Sequence, residues 1–198
     1  LQGIFDTILN KDIARRLNIA DTVSLENVTK FLLHSIGNKI SPTKIANTLK
    51  SAGKSVDQKT VDKYIKGLVD SMLIYEAGRY NIKGKQFLST QSKYYVVDVG
   101  MRNALVKSSE SDIGHMLENI VYLELKRRYK NVYVGEIDSG EVDFVSVNDN
   151  KYEYYQVSAT TLDENTLKRE LAPFGKIKDN YPKYLLTLDD VFSNADYN

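Results

Sequence analysis

The 198-residue sequence predicts an α/β fold made of two unlike parts. Helix-spaced apolar residues dominate the first 90 positions, whereas β-branched and aromatic runs dominate the remainder. Charge divides the same way. Residues 1–90 carry 14 Lys/Arg against 8 Asp/Glu, a net of +6, while residues 91–198 carry 13 against 18, a net of −5, and hold 11 of the 14 Tyr. Opposite charge in two halves hints at a basic, nucleic-acid-facing part joined to something different. Lys-rich helices with plainly solvated faces would give the same count.

Composition excludes several classes of protein. The chain has no Cys, so disulfides, thiolate zinc sites, iron–sulfur clusters and cysteine nucleophiles are out. Its length allows one large domain or two small ones, at roughly 100–200 residues per domain, and needs no staple to fold. No apolar run reaches the roughly 20 residues of a membrane span, and no signal-peptide pattern opens the chain. A soluble, cytoplasmic protein without a membrane partner is expected. The chain begins at Leu1 and reads like the middle of a longer polypeptide.

In the first half, Leu25, Val28, Phe31, Leu32 and Ile36 keep helical spacing until Gly37 closes the run. Ser41 then stands as an N-cap with Pro42 at the first helical position, where its missing N–H costs nothing. That helix places Ile45, Ala46 and Leu49 on one side and ends near Gly53. A third helix starts around Ser55 or Asp57 and buries Val61, Ile65, Leu68, Val69 and Met72. Leu73–Tyr75, a turn at Ala77-Gly78 and Arg79–Ile82 then read as a short hairpin. Three helices and a hairpin are the layout of a winged helix-turn-helix. In that layout the third helix reads DNA, presenting Gln58, Lys59, Thr60, Lys63 and Lys66 with Tyr64 nearby, and Arg79, Lys83 and Lys85 decorate the wing. Gln suits an adenine edge, and Lys and Thr suit phosphates or bases. Winged helices also serve as protein–protein spacers, so both uses stay open.

Two apparent signals dissolve on inspection. Gly53-Lys54-Ser55 looks like the tail of a Walker A loop, but Thr48 stands where its first Gly belongs and no strand feeds it. His34 and His115 have no second His or paired ligand cluster beside them in sequence and read as structural residues.

The second half reads as αβββαβ. Tyr94–Val97 is a short strand, followed by a helical turn from Met101 to Val106. A long helix covers 113–129 and ends in Lys126, Arg127 and Arg128, whose charge suits the helix dipole rather than DNA. Strands follow at Val132–Ile137, Glu141–Val147 and Tyr152–Ala159. A helix carrying Leu167, Leu171, Phe174 and Ile177 comes next, and then a strand, Tyr184–Leu188, apolar enough to be buried on both faces.

Polar residues interrupt these elements at informative places. Glu118 shares a helical stripe with Val121, Tyr122 and Leu125, where a lone buried carboxylate would be costly. Asp143 sits mid-strand, against propensity, and Gln156 and Ser158 share a face of the next strand. A two-residue loop at Asp149-Asn150 pairs Asn148 with Lys151 and sets Asp143 opposite Gln156. A four-residue loop gives the same pairing, and a three-residue loop without a bulge breaks it. A helix Glu and a hairpin Asp, with several waters, could hold Mg²⁺, which would generate hydroxide and stabilise charge on a phosphodiester. Alternatively, Glu118 and Asp143 pair with Lys or Arg and fix the fold. Spacing alone favours the second.

Residues 112–128 (DIGHMLENIVYLELKRR), 140–145 (GEVDFV), 155–158 (YQVS) and 166–188 (TLKRELAPFGKIKDNYPKYLLTL) resemble a bacterial and archaeal domain of unknown function that usually lies C-terminal to an AAA-type ATPase module. KDIARR at 11–16, NIKGKQFL at 81–88 and KYYVVDVGMRNAL at 93–105 extend the resemblance over essentially the whole chain. It implies that ATP is bound by a preceding module of the same polypeptide. It also implies that the C-terminal part is similar to the PD-(D/E)xK restriction-endonuclease-like fold. Glu118 would then match the helix Glu of that core and Asp143 its metal-binding Asp, with Mg²⁺ as the implied ion. Gln156 would match the Glu of ExK and Ser158 its Lys. The two neutral replacements make the site degenerate, and the lost Lys matters more, since its charge supports the transition state. Lys168 on the following helix could stand in for it.

The expected organisation is therefore a linker from the ATPase module at 1–21, a winged helix-turn-helix domain at 22–90 and an endonuclease-like α/β domain at 91–198. The expected function is an accessory, DNA-binding region of an AAA-type ATPase with a non-catalytic nuclease-like core. A Mg²⁺-dependent DNA nuclease and a protein-interaction module are the competing readings.

Overall fold

Three side-chain caps start the first helices. Asp21 accepts from the Ser24 amide (2.9 Å) ahead of α2 (Thr22–His34), and Ser41 from the Lys44 amide (3.2 Å) ahead of α3 (Pro42–Ser51). Asp57, rather than Ser55, caps α4 (Gln58–Asp70) through the Thr60 amide (3.0 Å). Each satisfies an amide that the first helical turn would otherwise leave open. The computed structural model describes residues 2–106, 112–138, 140–149 and 151–190, apart from the side chain of Thr90.

The segment expected to be a linker is helical and packed. Helix α1 (Gln2–Thr7) runs into a π-helical stretch, Ile8–Ala14, and buries Phe5, Leu9 and Ile13 against α2 and α4. These side chains recur every fourth residue, a helical stripe, and burying each contributes roughly 1.5–3 kcal/mol. Gly67 permits the close approach on α4. A Cβ there would lie 2.7 Å from Leu17 Cδ1 and 2.9 Å from Ile13 Cγ2.

Among the described residues, six strands form one sheet in the order β2-β1-β3-β4-β5-β6. The hairpin lies elsewhere than expected: β1 (Ile74–Asn81) runs straight through Ala77-Gly78, and β2 is Gln86–Val96. Ala77 is fully buried, and the register shifts between Ala77 and Arg79, so the small residues mark a bulge rather than a turn. The reversal comes at 82–85, where Asn81 Oδ1 accepts from the Gly84 amide (2.7 Å) and Lys85 takes a positive φ. Strand β1 also pairs in parallel with β3 (Val132–Ile137), which joins the hairpin to the strands that follow. The boundary expected between 90 and 91 falls inside β2.

Strands β3, β4 (Gly140–Asn148) and β5 (Lys151–Ser158) are antiparallel, with Asn148 opposite Lys151 and Phe144 opposite Tyr155, the register a two-residue loop requires. Strand β6 (Lys183–Thr187) pairs in parallel with β5 at the sheet edge. It is not buried on both faces as its apolar character suggested, since Tyr184 is exposed. Helices α5 (Val99–Leu105), α6 (Ile113–Arg128) and α7 (Glu164–Leu171) accompany the sheet. Helix α6 packs on one face, where Tyr122 stacks on Tyr95 with ring centroids 4.3 Å apart. Leu171, Phe174 and Ile177 join a separate core cluster. Asn119 of α6 holds the end of β2 through both its amide groups, donating to Val96 O (3.0 Å) and accepting from Val96 N (2.8 Å).

Candidate functional site

Helix α6 brings Glu118 over the sheet, with His115 one turn earlier. Strand β2 contributes Lys93 and Tyr95, two residues apart and therefore on one face. Strand β4 contributes Glu141 and Asp143 by the same spacing. Lys93 is 4% exposed, and its ammonium lies 2.8 Å from Glu118 Oε1 and 2.6 Å from Glu141 Oε1. The Tyr95 hydroxyl donates to Glu118 Oε1 (2.5 Å), and His115 Nδ1 stands 3.9 Å from Glu118 Oε2. Lys39, in the loop after α2, reaches Glu141 Oε2 at 2.6 Å. That loop is held against β2 by backbone bonds between Ile40 and Ser92 and from the Gly37 amide to Tyr94 O. Gly37 has φ +72°, and a Cβ there would meet His115 Nδ1 at 2.8 Å, so only glycine lets the loop approach the cluster.

Asp143 and Gln156 meet where the β4–β5 ladder ends. The ladder's last pair is Phe144 and Tyr155. One step further, side chains replace backbone bonds: Asp143 Oδ2 accepts from the Val157 amide (2.8 Å) and Gln156 Oε1 from the Asp143 amide (2.7 Å). Gln156 Nε2 donates onward to Glu170 of α7 (3.2 Å).

The electrostatics follow from this crowding. Burial and the charge of Glu118 push the Asp143 carboxyl up to about 7, with Lys93 and the Val157 amide opposing. Burial pulls the Lys93 ammonium down, but Glu118 and Glu141 outweigh it and hold Lys93 above the usual lysine range. For Glu118, burial is outweighed by the neighbouring His115 and by the charge of Lys93, which keep it below the usual carboxylate range. The Glu118 carboxylate beside it raises His115.

Of the expected nuclease-like residues, Glu118, Asp143 and Gln156 therefore converge. Ser158 does not join them, since its hydroxyl donates to Thr160 O (2.8 Å) at the end of β5. Lys168 is no substitute for the missing lysine, being exposed and paired with Glu164 at 3.1 Å. Sequence reasoning missed Lys93, Tyr95 and Glu141. The available signal was a lysine inside the aromatic and β-branched run KYYVVDV, since buried lysine is rare without a partner. Among the described residues, no group of three or more His, Asp or Glu side chains is arranged to hold a metal ion.

The second candidate surface is α4. Gln58, Lys59, Lys63 and Lys66 are exposed, and these three lysines form no ion pair among the described residues. Lys59, Lys63 and Lys66 follow i, i+4, i+7 spacing and lie on one stripe. Asp62 and Asp70 are exposed on the same helix. Thr60 is half-buried, with its hydroxyl donating to Asp57 Oδ2 (2.7 Å). Tyr64 is buried and turned inward. Arg79 is not on an exposed wing: the parallel pairing of β1 with β3 sets it against Glu136, with which it forms an ion pair. Lys83 faces Asp138 (3.4 Å), and Lys85 lies 5.6 Å from the centre of the Tyr152 ring. No helix among the described residues is long and apolar enough to cross a membrane.

A family model described as a domain of unknown function (DUF8612) matches residues 1–112. An uncharacterized protein of Haemophilus influenzae is 41% identical over 187 residues, covering 94% of this chain and 46% of that protein. An uncharacterized protein of Methanocaldococcus jannaschii is 32% identical over 196 residues, covering 96% of this chain and 42% of that one. The chain thus spans less than half the length of these curated relatives. No solved structure matches.

Proposed function

The chain belongs to the DUF8612 family, and from that premise we propose that it is a DNA-binding accessory region of a larger ATP-binding protein, with a nuclease-like core that does no catalysis. The observation that carries the reading is the stripe of Lys59, Lys63 and Lys66 on α4, exposed and without ion pairs among the described residues. Most buried or sheet-borne cations, such as Lys93 and Arg79, are neutralised by carboxylates, so an unneutralised stripe within a part of net charge +6 suits phosphates. The order of α2, α3, α4 and the β1–β2 hairpin supports a winged-helix-like use of α4, whose first turns would enter a major groove. The wing of that arrangement differs, because its hairpin is built into the sheet. The order α6-β3-β4-β5-α7-β6 supports the restriction-endonuclease-like reading of the core. The preceding ATPase, which would couple nucleotide state to the DNA contact, rests on the family resemblance.

Binding to a duplex should be measured by fluorescence anisotropy over a salt series. Each neutralised phosphate contributes about −0.9 to the slope of log K against log salt. Lys59→Glu/Lys63→Glu is expected to weaken binding at least about tenfold and flatten that slope by roughly two contacts. Absence of binding by the wild-type chain at low salt would instead favour the protein-interaction reading, which the embedded hairpin also suits.

A further inference from the structure

The fold that the C-terminal part resembles implies Mg²⁺, and the residues here do not fit it. A divalent ion shared by the helix carboxylate and the β4 carboxylates would sit about 2.0–2.1 Å from each oxygen. The Lys93 ammonium already lies between those elements, 2.8 Å from Glu118 Oε1 and 2.6 Å from Glu141 Oε1. Several of the acceptors are engaged as well. Tyr95 donates to Glu118, Lys39 holds the second oxygen of Glu141, the Val157 amide takes Asp143 Oδ2 and the Asp143 amide takes Gln156 Oε1. The charges of Lys93 and Lys39 balance those of Glu118 and Glu141 without any metal. A further two positive charges would meet an ammonium that has no room to leave, being buried on every side.

We propose that the ammonium of Lys93 is the resident cation of this cluster, standing where the metal of a nuclease would stand, and that removing it turns Glu118, Glu141 and Asp143 into a divalent-metal site. The lysine missing at Ser158 is thus not restored by Lys93 acting beside a metal; Lys93 replaces the metal itself. The inference rests on the nuclease-like reading of the core and is independent of DNA binding by α4, so failure of the anisotropy experiment leaves it standing.

The test is Mn²⁺ uptake, read from loss of the free-ion electron paramagnetic resonance signal, on wild type, Lys93→Met, Lys93→Arg and Lys93→Met/Asp143→Asn. Wild type and Lys93→Arg are expected to take up no Mn²⁺. Lys93→Met should bind one ion at least about tenfold more tightly than wild type, and the double variant should lose it. Mn²⁺ should also raise the melting temperature of Lys93→Met alone, because a ligand that binds only the folded state stabilises it. Uptake by wild type that disappears in Asp143→Asn overturns the proposal. So does a folded Lys93→Met that ignores Mn²⁺, or one that stays unfolded with Mn²⁺ present while Lys93→Arg folds.

Discussion

Lysines do opposite work in two parts of this molecule. On α4, Lys59, Lys63 and Lys66 stand in water without ion-pair partners among the described residues, whereas Lys93 is enclosed between carboxylates from α6 and β4. An exposed ammonium keeps its hydration and contributes little to folding, so it remains available to a phosphate. A buried one has lost that hydration and must be matched by carboxylates that are themselves desolvated. Burial, more than residue type, decides whether a cation serves recognition or architecture, and Arg79 belongs with Lys93 rather than with α4.

The contrast would break first at Lys93. In metal-free buffer, Lys93→Met leaves buried Glu118 without its lysine and Glu141 with Lys39 alone, and should cost about 3–5 kcal/mol in urea denaturation. Arg79→Ala comes next, with a loss of about 2 kcal/mol from unpairing Glu136 and no change in DNA affinity. A drop in affinity without a drop in stability would return Arg79 to the binding surface. Asp143 sharpens the comparison through pH. Its folded-state pKa of about 7 lies above that of the unfolded chain, so its stabilisation is present in acid and lost as pH rises through neutrality. Relative to wild type, Asp143→Asn should gain on the order of 2 kcal/mol between pH 5 and pH 8. Glu118, held below its ordinary range, has the opposite slope, but only in more acidic solution. Equal pH dependence of wild type and Asp143→Asn would remove Asp143 from the cluster. The smallest effect belongs to Lys59→Glu/Lys63→Glu, whose stability should stay within about 0.5 kcal/mol of wild type while DNA binding falls.

Local signals in the sequence carried much of this architecture. Ser41 with Pro42, the apolar stripes of α2 to α4 and the order of elements from α6 to β6 all follow from spacing and capping. So does the approach of Asp143 to Gln156, which depends on one short loop. What local spacing hides is pairing between distant segments. Ala77-Gly78 has the composition of a turn, and only the parallel contact of β1 with β3 makes it a bulge in a buried strand. The partners of Lys93 lie 25 residues away at Glu118 and further still at Glu141, so a lysine in an aromatic run reads as an oddity until the sheet and α6 are assembled. The stripe of Phe5, Leu9 and Ile13 lies in the segment expected to be a linker, because its target on α4 is distant in sequence.

Strand β2 is common property. Its N-terminal end pairs with the far end of β1, and its C-terminal end is bonded to Ile40 and Gly37 of the helical part while carrying Lys93 and Tyr95 toward α6. A strand held on both sides cannot leave with one half of the chain and stay with the other. Denaturant should therefore unfold helices and sheet in one cooperative step, with the steep urea dependence of the whole surface rather than two shallow transitions. Severing the backbone between 90 and 91 would cut through this shared strand and deprive both sides of the same element.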